Sequence, residues 1–341
     1  MQLSIIVPAY NVADYIERCI RSLENQDIPK SDYEIIVTND GSPDNSRQII
    51  EKLQEEFSNI VLINQENQGV SMARNNAIAI AKGKFIMPID PDDYVQTNSF
   101  GEIFSIINEF ESDCYVLQVN KINEHGEVIW KTDYKKYNKI IHKTLASFHD
   151  SKGENNNLAD PDRSWAIIYK KEIISKYDIF YPKNVPYLED AIFVSKYFFY
   201  VKSYMLIDTP FYMRTVRMGS ATNSNLFLTD FARKGFANGV KDIYDFYTTH
   251  KTAIVNEDRF GFLRQTYIHF CILPLISVVN NYSIRNIFKH VSINNPKYKN
   301  IGIKSTRYPF NLYGWTLYKS PYLFIFFYFF HLRFVILKNK L

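Results

Sequence analysis

The sequence predicts an α/β protein built on a doubly wound, mostly parallel sheet, with a helical C-terminal extension. Short apolar runs alternate with segments of helical period through the first half of the chain. Polar clusters follow the ends of those runs, which is where such sheets bind ligands. After Arg214 the alternation gives way to long mixed apolar segments. Leu3 to Pro8 is a buried first strand. Asn11 can cap a helix in which Ile16, Cys19, Ile20 and Leu23 recur at helical spacing, with Asp14 well placed in its first turn. Tyr33 to Asn39 is a second strand, Ser46 to Phe57 an amphipathic helix and Ile60 to Asn64 a third strand. Ser71 to Ala81 forms a helix ended near Gly83, and Lys84 to Ile89 a fourth strand. A helix from Ser99 to Glu111 leads into a strand from Tyr115 to Val119. Residues 122–160 are polar and irregular. Their tract Gly153-Glu154-Asn155-Asn156-Asn157 suits a flexible loop, either a lid or acceptor gate or a plain surface insertion. From about residue 226 the chain reads as helical, and no internal repeat is visible.

Bulk properties narrow the class. Over 341 residues, a hydrophobic content of 46% supplies a sizeable core. Lys and Arg number 40 against 36 Asp and Glu, and the formal charge of +4 gives no support for a nucleic-acid binder. Cys19, Cys114 and Cys271 are odd in number and far apart, so neither a disulfide framework nor a zinc knuckle is expected, and a reducing cytoplasm suits them. The first apolar run stops at Pro8 with no basic segment before it, so no secretory signal is expected. The 7 histidines show no metal-ligand spacing.

The chemistry concentrates in Phe85-Ile86-Met87-Pro88-Ile89-Asp90-Pro91-Asp92-Asp93, a buried run that delivers a trio of carboxylates. Like charges that close demand a cation. Asp90 and Asp92 are two apart across the stiff Pro91, so both can point toward one divalent ion, and oxygen-only ligation suits Mg2+ or Mn2+ rather than Zn2+. With so few protein ligands, such an ion is completed by water and substrate phosphates, as in an enzyme handling a nucleotide diphosphate. An Asp-x-Asp taken alone reads as well as a solvated acidic turn.

Four further segments set its context. Ser4-Ile5-Ile6-Val7-Pro8-Ala9-Tyr10-Asn11 opens the chain, followed by Tyr15-Ile16, Cys19-Ile20, Ser22-Leu23 and Gln26. Ile35-Ile36-Val37-Thr38-Asn39-Asp40-Gly41-Ser42 comes next, with Asp44-Asn45-Ser46. Then come Asn67-Gln68-Gly69-Val70-Ser71-Met72-Ala73-Arg74-Asn75 with Ala81-Lys82-Gly83, and finally Tyr187-Leu188-Glu189-Asp190-Ala191-Ile192-Phe193. In this order the segments resemble the family 2 glycosyltransferases over roughly residues 3 to 222, and the resemblance fades in the C-terminal third. It implies a GT-A fold, Rossmann-like, over 1–222. A nucleotide-sugar half lies at about 1–98 and an acceptor half at about 99–222, leaving 223–341 as the helical region. It also implies transfer of a hexose or N-acetylhexosamine, with inversion, from a nucleotide diphosphate sugar, by expectation UDP-linked. The acceptor is a hydroxyl of a glycan or lipid-linked oligosaccharide in surface polysaccharide synthesis. Trp165 to Tyr169 and Lys170-Lys171-Glu172 resemble the short strand and helix before the family's base motif, with Trp165 in the core or serving as a sugar platform.

The pocket also has a logic of its own. Pro8 and Tyr10 offer a fixed backbone and an aromatic face for a flat base. Asp40 can accept from a base N–H or ribose hydroxyls, and Gly41-Ser42 lets the backbone approach a ligand. The family usually carries two acids where this chain has Asn39-Asp40, which leaves Asp40 as the expected carboxylate. Arg74 can pair with the pyrophosphate or simply anchor Asp90, and Asn67 can hold the sugar or a base edge. Asp190 is the expected base for the acceptor hydroxyl, with Glu189 orienting it or binding the acceptor. The same two acids also suit the first turn of a helix from Ala191 to Tyr200. Tyr212-Met213-Arg214-Thr215-Val216-Arg217-Met218-Gly219-Ser220 resembles the family segment that closes over the diphosphate, with Arg217, ahead of Arg214, and Ser220 on the phosphates. A nucleotidyltransferase is the competing enzyme class, against which no glycine-rich phosphate loop with a following lysine is present. The non-enzymatic alternative is a sugar-nucleotide or glycan binding protein.

Pro321-Tyr322-Leu323-Phe324-Ile325-Phe326-Phe327-Tyr328-Phe329-Phe330 is too short for a spanning helix, which needs about 20 apolar residues. With Lys289, Lys297, Lys299, Lys304, Arg307, Lys319, Arg333, Lys338 and Lys340 it suits an interfacial segment on anionic lipid. A packed helix or a dimer interface fits the same residues. The expected location is cytoplasmic and peripheral on the inner face of the cell membrane, in an oligomeric state the sequence leaves open.

Overall fold

The computed structural model describes residues 1–123, 125–132, 134, 163–215, 229–253, 260–281, 315–317, 319–320, 322–326 and 328. The tract at 153–157, Arg217, Ser220 and nearly all of the C-terminal basic residues lie outside the described residues. Two compact units divide the chain, Met1–Lys183 with Tyr200–Met218 and Asn184–Phe199 with Gly219–Leu341.

The first unit carries the sheet. Its first half alternates β1 (Leu3–Ala9), α1 (Ile16–Glu24), β2 (Tyr33–Asp40), α2 (Ser46–Glu56), β3 (Ile60–Gln65), α3 (Val70–Ile80) and β4 (Phe85–Pro88). Then come β5 (Tyr94–Val95), α4 (Phe100–Glu109), β6 (Cys114–Ile122), β7 (Val128–Lys131), β8 (Ile167–Lys170), α5 (Lys171–Lys176) and β9 (Tyr204–Thr215). Strand order is β3-β2-β1-β4-β8-β6-β9-β5, with β7 paired to β6. Strands β1 to β4 pair in parallel, as do β6 and β9, while β8 runs antiparallel between β4 and β6. Two reversals restore direction, so β4, β6 and β9 all end at the edge where β1 and β2 end. Every residue of β1 and β2 is buried, as strands covered on both faces require.

Glu34 pins the opposite edge. Its buried Oε1 accepts from Ser4 Oγ and the Lys82 N–H, both at 2.6 Å, and Ser4 Oγ in turn accepts from the Gly83 N–H at 2.8 Å. A Cβ at Gly83 would lie 2.4 Å from the Ser4 nitrogen, so only glycine lets α3 return that close to β1.

Elsewhere the structure departs from the sequence reading. Asn11 does not cap α1: it sits at φ 55° with the helix beginning at Ile16. The loop before the helix is held from the next βα loop instead. Ser42 Oγ accepts from the Asn11 N–H at 3.3 Å, Asp44 Oδ2 from Ala13 at 2.9 Å and Ser46 Oγ from Val12 at 2.9 Å. Within 122–160, β7 forms a hairpin with β6. Asn123 Oδ1 accepts the His125 and Glu127 N–H groups around Gly126 at φ 79°, and a four-residue edge strand shows too little alternation to be read. The long β9 is not announced by periodicity either. Pro210 interrupts it and falls where the pairing with β6 shifts register at Gln118, the place a strand tolerates proline.

The second unit is helical: α6 (Glu189–Tyr200), all but its last residue, with α7 (Asp230–His250) and α8 (Phe260–Asn281). Edge-to-face pairs Phe198–Phe262, Phe199–Phe246 and Phe236–Phe270 join the helices. Gly239 lets α7 approach Phe270 and Ile192, which a Cβ would meet at 2.5 and 2.9 Å. Lys196, itself buried, is paired with Asp242 across α6 and α7. Among the described residues no helix is long and apolar enough to cross a membrane.

Candidate active site

Loops from four strand ends meet at the ligand edge of the first unit. Pro8 is buried in β1, and Tyr10 projects just beyond it with 49% of its surface exposed, so its ring face is available for stacking. At the end of β2, Asn39 Nδ2 donates to Asn64 Oδ1 at 2.9 Å across the β2–β3 pair, while its own Oδ1 accepts the Ser42 N–H at 3.2 Å.

Asp40 is buried and already engaged. Its Oδ1 accepts from Gln65 Nε2 at 2.7 Å and the Gln68 N–H at 2.8 Å, and Oδ2 accepts the Gly69 N–H at 2.8 Å. These bonds shape the 65–69 loop that opens α3. Gly41 turns beneath that loop at φ 69°, where a Cβ would lie 2.9 Å from the Asn67 nitrogen. Asn67 itself is exposed. Asp40 therefore acts on this loop first, and reaches a ligand only through lone pairs not used in shaping it.

The acidic turn follows β4. One oxygen from each of Asp90, Asp92 and Asp93 lies within 4.8 Å of the others. The donor set is all oxygen, which suits a hard cation. Asp90 and Asp92 are half-buried and Asp93 is buried. Arg74, 4% exposed, donates from Nη2 to Asp90 Oδ1 at 2.9 Å and lies 5.1 Å from the Tyr181 ring centroid. The structure shows Arg74 anchoring Asp90. Its guanidinium offsets part of the turn's negative charge.

Asp93 is the residue the sequence did not assign. The Tyr212 hydroxyl donates to its Oδ2 at 2.8 Å and accepts the Asp90 N–H at 3.3 Å, while the Thr215 N–H donates to Oδ1 at 2.8 Å. Arg18 reinforces the tie, donating to the Asp92 carbonyl at 2.9 Å and to Thr215 Oγ1 at 3.0 Å. The turn is thus latched to the end of β9. Burial, then repulsion from Asp92 and Asp90, pushes the Asp93 carboxyl well above the usual range in spite of its hydrogen bonds. Burial and the same acids raise the Tyr212 phenol. Its place beside Asp92 was the only signal for Asp93, and none pointed to Tyr212.

Trp165 stacks on Tyr212 with centroids 4.7 Å apart and only 8% of its surface exposed. It packs there as the core expectation has it. Glu189 and Asp190 lie in the second unit, both buried in the first turn of α6, where acids favour the helix dipole.

The comparisons with known proteins agree with this geometry. The profile of Glycosyl transferase family 2 matches residues 4–172. The poly(ribitol-phosphate) beta-glucosyltransferase of Bacillus spizizenii is 30% identical over 195 residues, covering 57% of this chain and 29% of that protein. The poly(ribitol-phosphate) beta-N-acetylglucosaminyltransferase TarS of Staphylococcus aureus is 26% identical over 228 residues, covering 66% of this chain and 37% of that protein. The chain therefore spans about a third of the length of these curated relatives. The crystal structure of S. aureus TarS 1-349 in complex with UDP-GlcNAc superposes with a TM-score of 0.60 at 21% identity, covering 87% of this chain and 90% of that one. That of GalNAc-T7 with UDP, GalNAc and Mn2+ gives 0.51 at 14% identity, covering 86% of this chain and 55% of that one. Both likenesses establish the GT-A fold.

Proposed function

From the premise that this chain belongs to glycosyl transferase family 2 through residues 4–172, we propose that it transfers a hexose or N-acetylhexosamine from a UDP-linked donor to a hydroxyl of a glycan or lipid-linked acceptor. Cell-surface polysaccharide synthesis is the setting that its relatives favour. The observation that carries the reading is the acidic turn at the end of β4, inside the matching segment and at the edge where β1 and β2 present their loops.

Each residue has its task. Pro8 and Tyr10 hold the base, Asn67 and Asp40 the ribose side of the donor, and Arg217 and Ser220 the phosphates. Asp90 and Asp92 would hold Mg2+ or Mn2+, which when bound would supply positive charge against the departing diphosphate. Arg74 keeps Asp90 aimed, and Asp93 keeps the turn joined to β9. Asp190 removes the acceptor's proton as its oxygen attacks the anomeric carbon, with Glu189 positioning it, and direct displacement inverts that carbon. Because the leaving group is a diphosphate, no protein acid is required for it.

A panel of UDP- and GDP-sugars with Mn2+ tests the reading. One UDP-sugar is expected to raise the melting temperature and to be hydrolysed slowly only when the metal is present, since a ligand that binds the native state stabilises it. Protection by none of the panel would overturn the assignment.

The C-terminal aromatic segment belongs to the same proposal. Trp315, Tyr322 and Phe326 are 45%, 42% and 57% exposed, while Phe324 and Ile325 are buried, as in an amphipathic surface element. The protein is expected to sediment with anionic vesicles, far less with neutral ones, and to lose that affinity when truncated before Pro309. Equal recovery in the supernatant with and without vesicles would refute a peripheral membrane location on the cytoplasmic face.

A further inference from the structure

Resting on the transferase reading above, we infer that Lys121, Arg163 and Arg214 recognise phosphate groups of the acceptor, which is a phosphate-bearing chain rather than a neutral glycan. Lys121 and Arg214 are register partners on β6 and β9, and like charges placed directly opposite on paired strands repel. Each is parked over an indole: Lys121 Nζ lies 4.8 Å from the Trp130 ring centroid and the Arg214 guanidinium 5.3 Å from that of Trp165. Arg163 lies 5.2 Å from the same Trp165 ring and is only 7% exposed. Among the described residues no carboxylate pairs with any of these cations. Asp208, further down β9, spends Oδ1 on the Tyr134 N–H at 3.2 Å and on Gln118 Nε2 at 3.4 Å, and Asp93, in the turn beyond Tyr212, is bonded to Tyr212 and Thr215.

A guanidinium as buried as that of Arg163, with no carboxylate on it among the described residues, is costly, and with the half-buried Lys121 and Arg214 beside it a ligand can supply negative charge. Arginine's planar fork suits phosphate oxygens, and stacking on an indole pre-orients it.

Place decides which phosphate. In the order β3-β2-β1-β4-β8-β6-β9 the nucleotide loops stand on β1 and β2, on the far side of the acidic turn from β6 and β9. The cluster nevertheless abuts that turn, since Trp165 stacks on Tyr212 and the Tyr212 hydroxyl bonds Asp93. A chain lying along the ends of β6 and β9 thus brings a hydroxyl toward the acidic turn while its phosphates meet Lys121, Arg163 and Arg214.

Binding of fluorescent poly(ribitol phosphate), with maltoheptaose as the neutral probe, tests this by anisotropy on the full chain. UDP with Mn2+ is titrated in parallel. Wild type is expected to bind the polyanion with an affinity that falls steeply with salt, and maltoheptaose weakly or not at all. Arg163→Gln and Arg214→Gln are each expected to weaken the polyanion by about tenfold and leave UDP within about twofold, with Arg163→Lys recovering part of the loss. Arg214 is half-exposed, so its variant reads the proposal even where the Arg163 variant misfolds. Unchanged polyanion binding in Arg214→Gln overturns the proposal. So does equal binding of maltoheptaose, or a loss of UDP affinity matching that of the polyanion, which would assign the cations to the donor diphosphate. Failure of wild type to bind UDP counts against the transferase reading alone, because the polyanion titration needs no nucleotide.

Discussion

Asp190→Asn is expected to lower kcat for sugar transfer by about a thousandfold while leaving UDP affinity within about twofold, because a positioned general base contributes about 10²- to 10⁴-fold. An acceptor alcohol is a poor nucleophile near neutral pH, so its proton must leave as the new bond forms. Asparagine keeps the size and one acceptor oxygen of Asp190 but takes no proton. The loss falls on kcat with little change in KM, the pattern of an interaction made only in the transition state. Glu189→Gln is expected to cost less, since its task is to position Asp190. Both residues are buried in the first turn of α6, where a helix-capping role alone predicts a lower melting temperature and unaltered kcat. Turnover in Asp190→Asn within about threefold of wild type would rule Asp190 out as the base.

The second large effect separates the members of the acidic turn. Asp92→Asn is expected to weaken Mn2+ by about a hundredfold or more, given that even outer-shell partners of a metal are worth about 10- to 100-fold. The protection by UDP-sugar disappears with it. Asp93→Asn behaves differently, because the Asp93 oxygens face Tyr212 and Thr215. Its folded pKa is raised above the unfolded value, so the stability linked to its protonation is complete below the unfolded pKa near 4 and is lost as pH rises through the folded value. Wild type in EDTA should therefore become less resistant to urea as pH rises above the unfolded carboxyl value, and Asp93→Asn should flatten that slope. With saturating Mn2+ the wild-type slope shrinks, because a cation offsets the repulsion from Asp90 and Asp92. An unchanged slope in Asp93→Asn would mean that its burial does not control the turn.

Much of the first unit was legible in the sequence. Strands β1 to β4 and helices α1 to α4 lie within a few residues of their expected limits, because each is a run whose period matches its own environment: continuous apolar strands buried on both faces, and helices with one apolar stripe. The turn at Asp90, Asp92 and Asp93 was legible because carboxylates that close after a buried strand have few stable uses. Strand β9 was not legible, since Pro210 breaks its pattern and its place between β6 and β5 is set by partners far away in the chain. The contact of Asn39 was hidden for the same reason: only the register with β3 sets its amide against Asn64.

The sequence by itself determined the fold class, the order of the loops at the ligand edge and the acids that can hold a cation, all of which follow from local periodicity and residue chemistry. Tertiary structure alone decided which side chains those acids meet. It placed Arg74 on Asp90 and tied Asp93 to Tyr212 and Thr215 of β9. It also set the cations Lys121, Arg163 and Arg214 against Trp130 and Trp165. Such partners are separated by tens of residues along the chain, and electrostatic and hydrogen-bond energies depend on distances in space that no local pattern encodes.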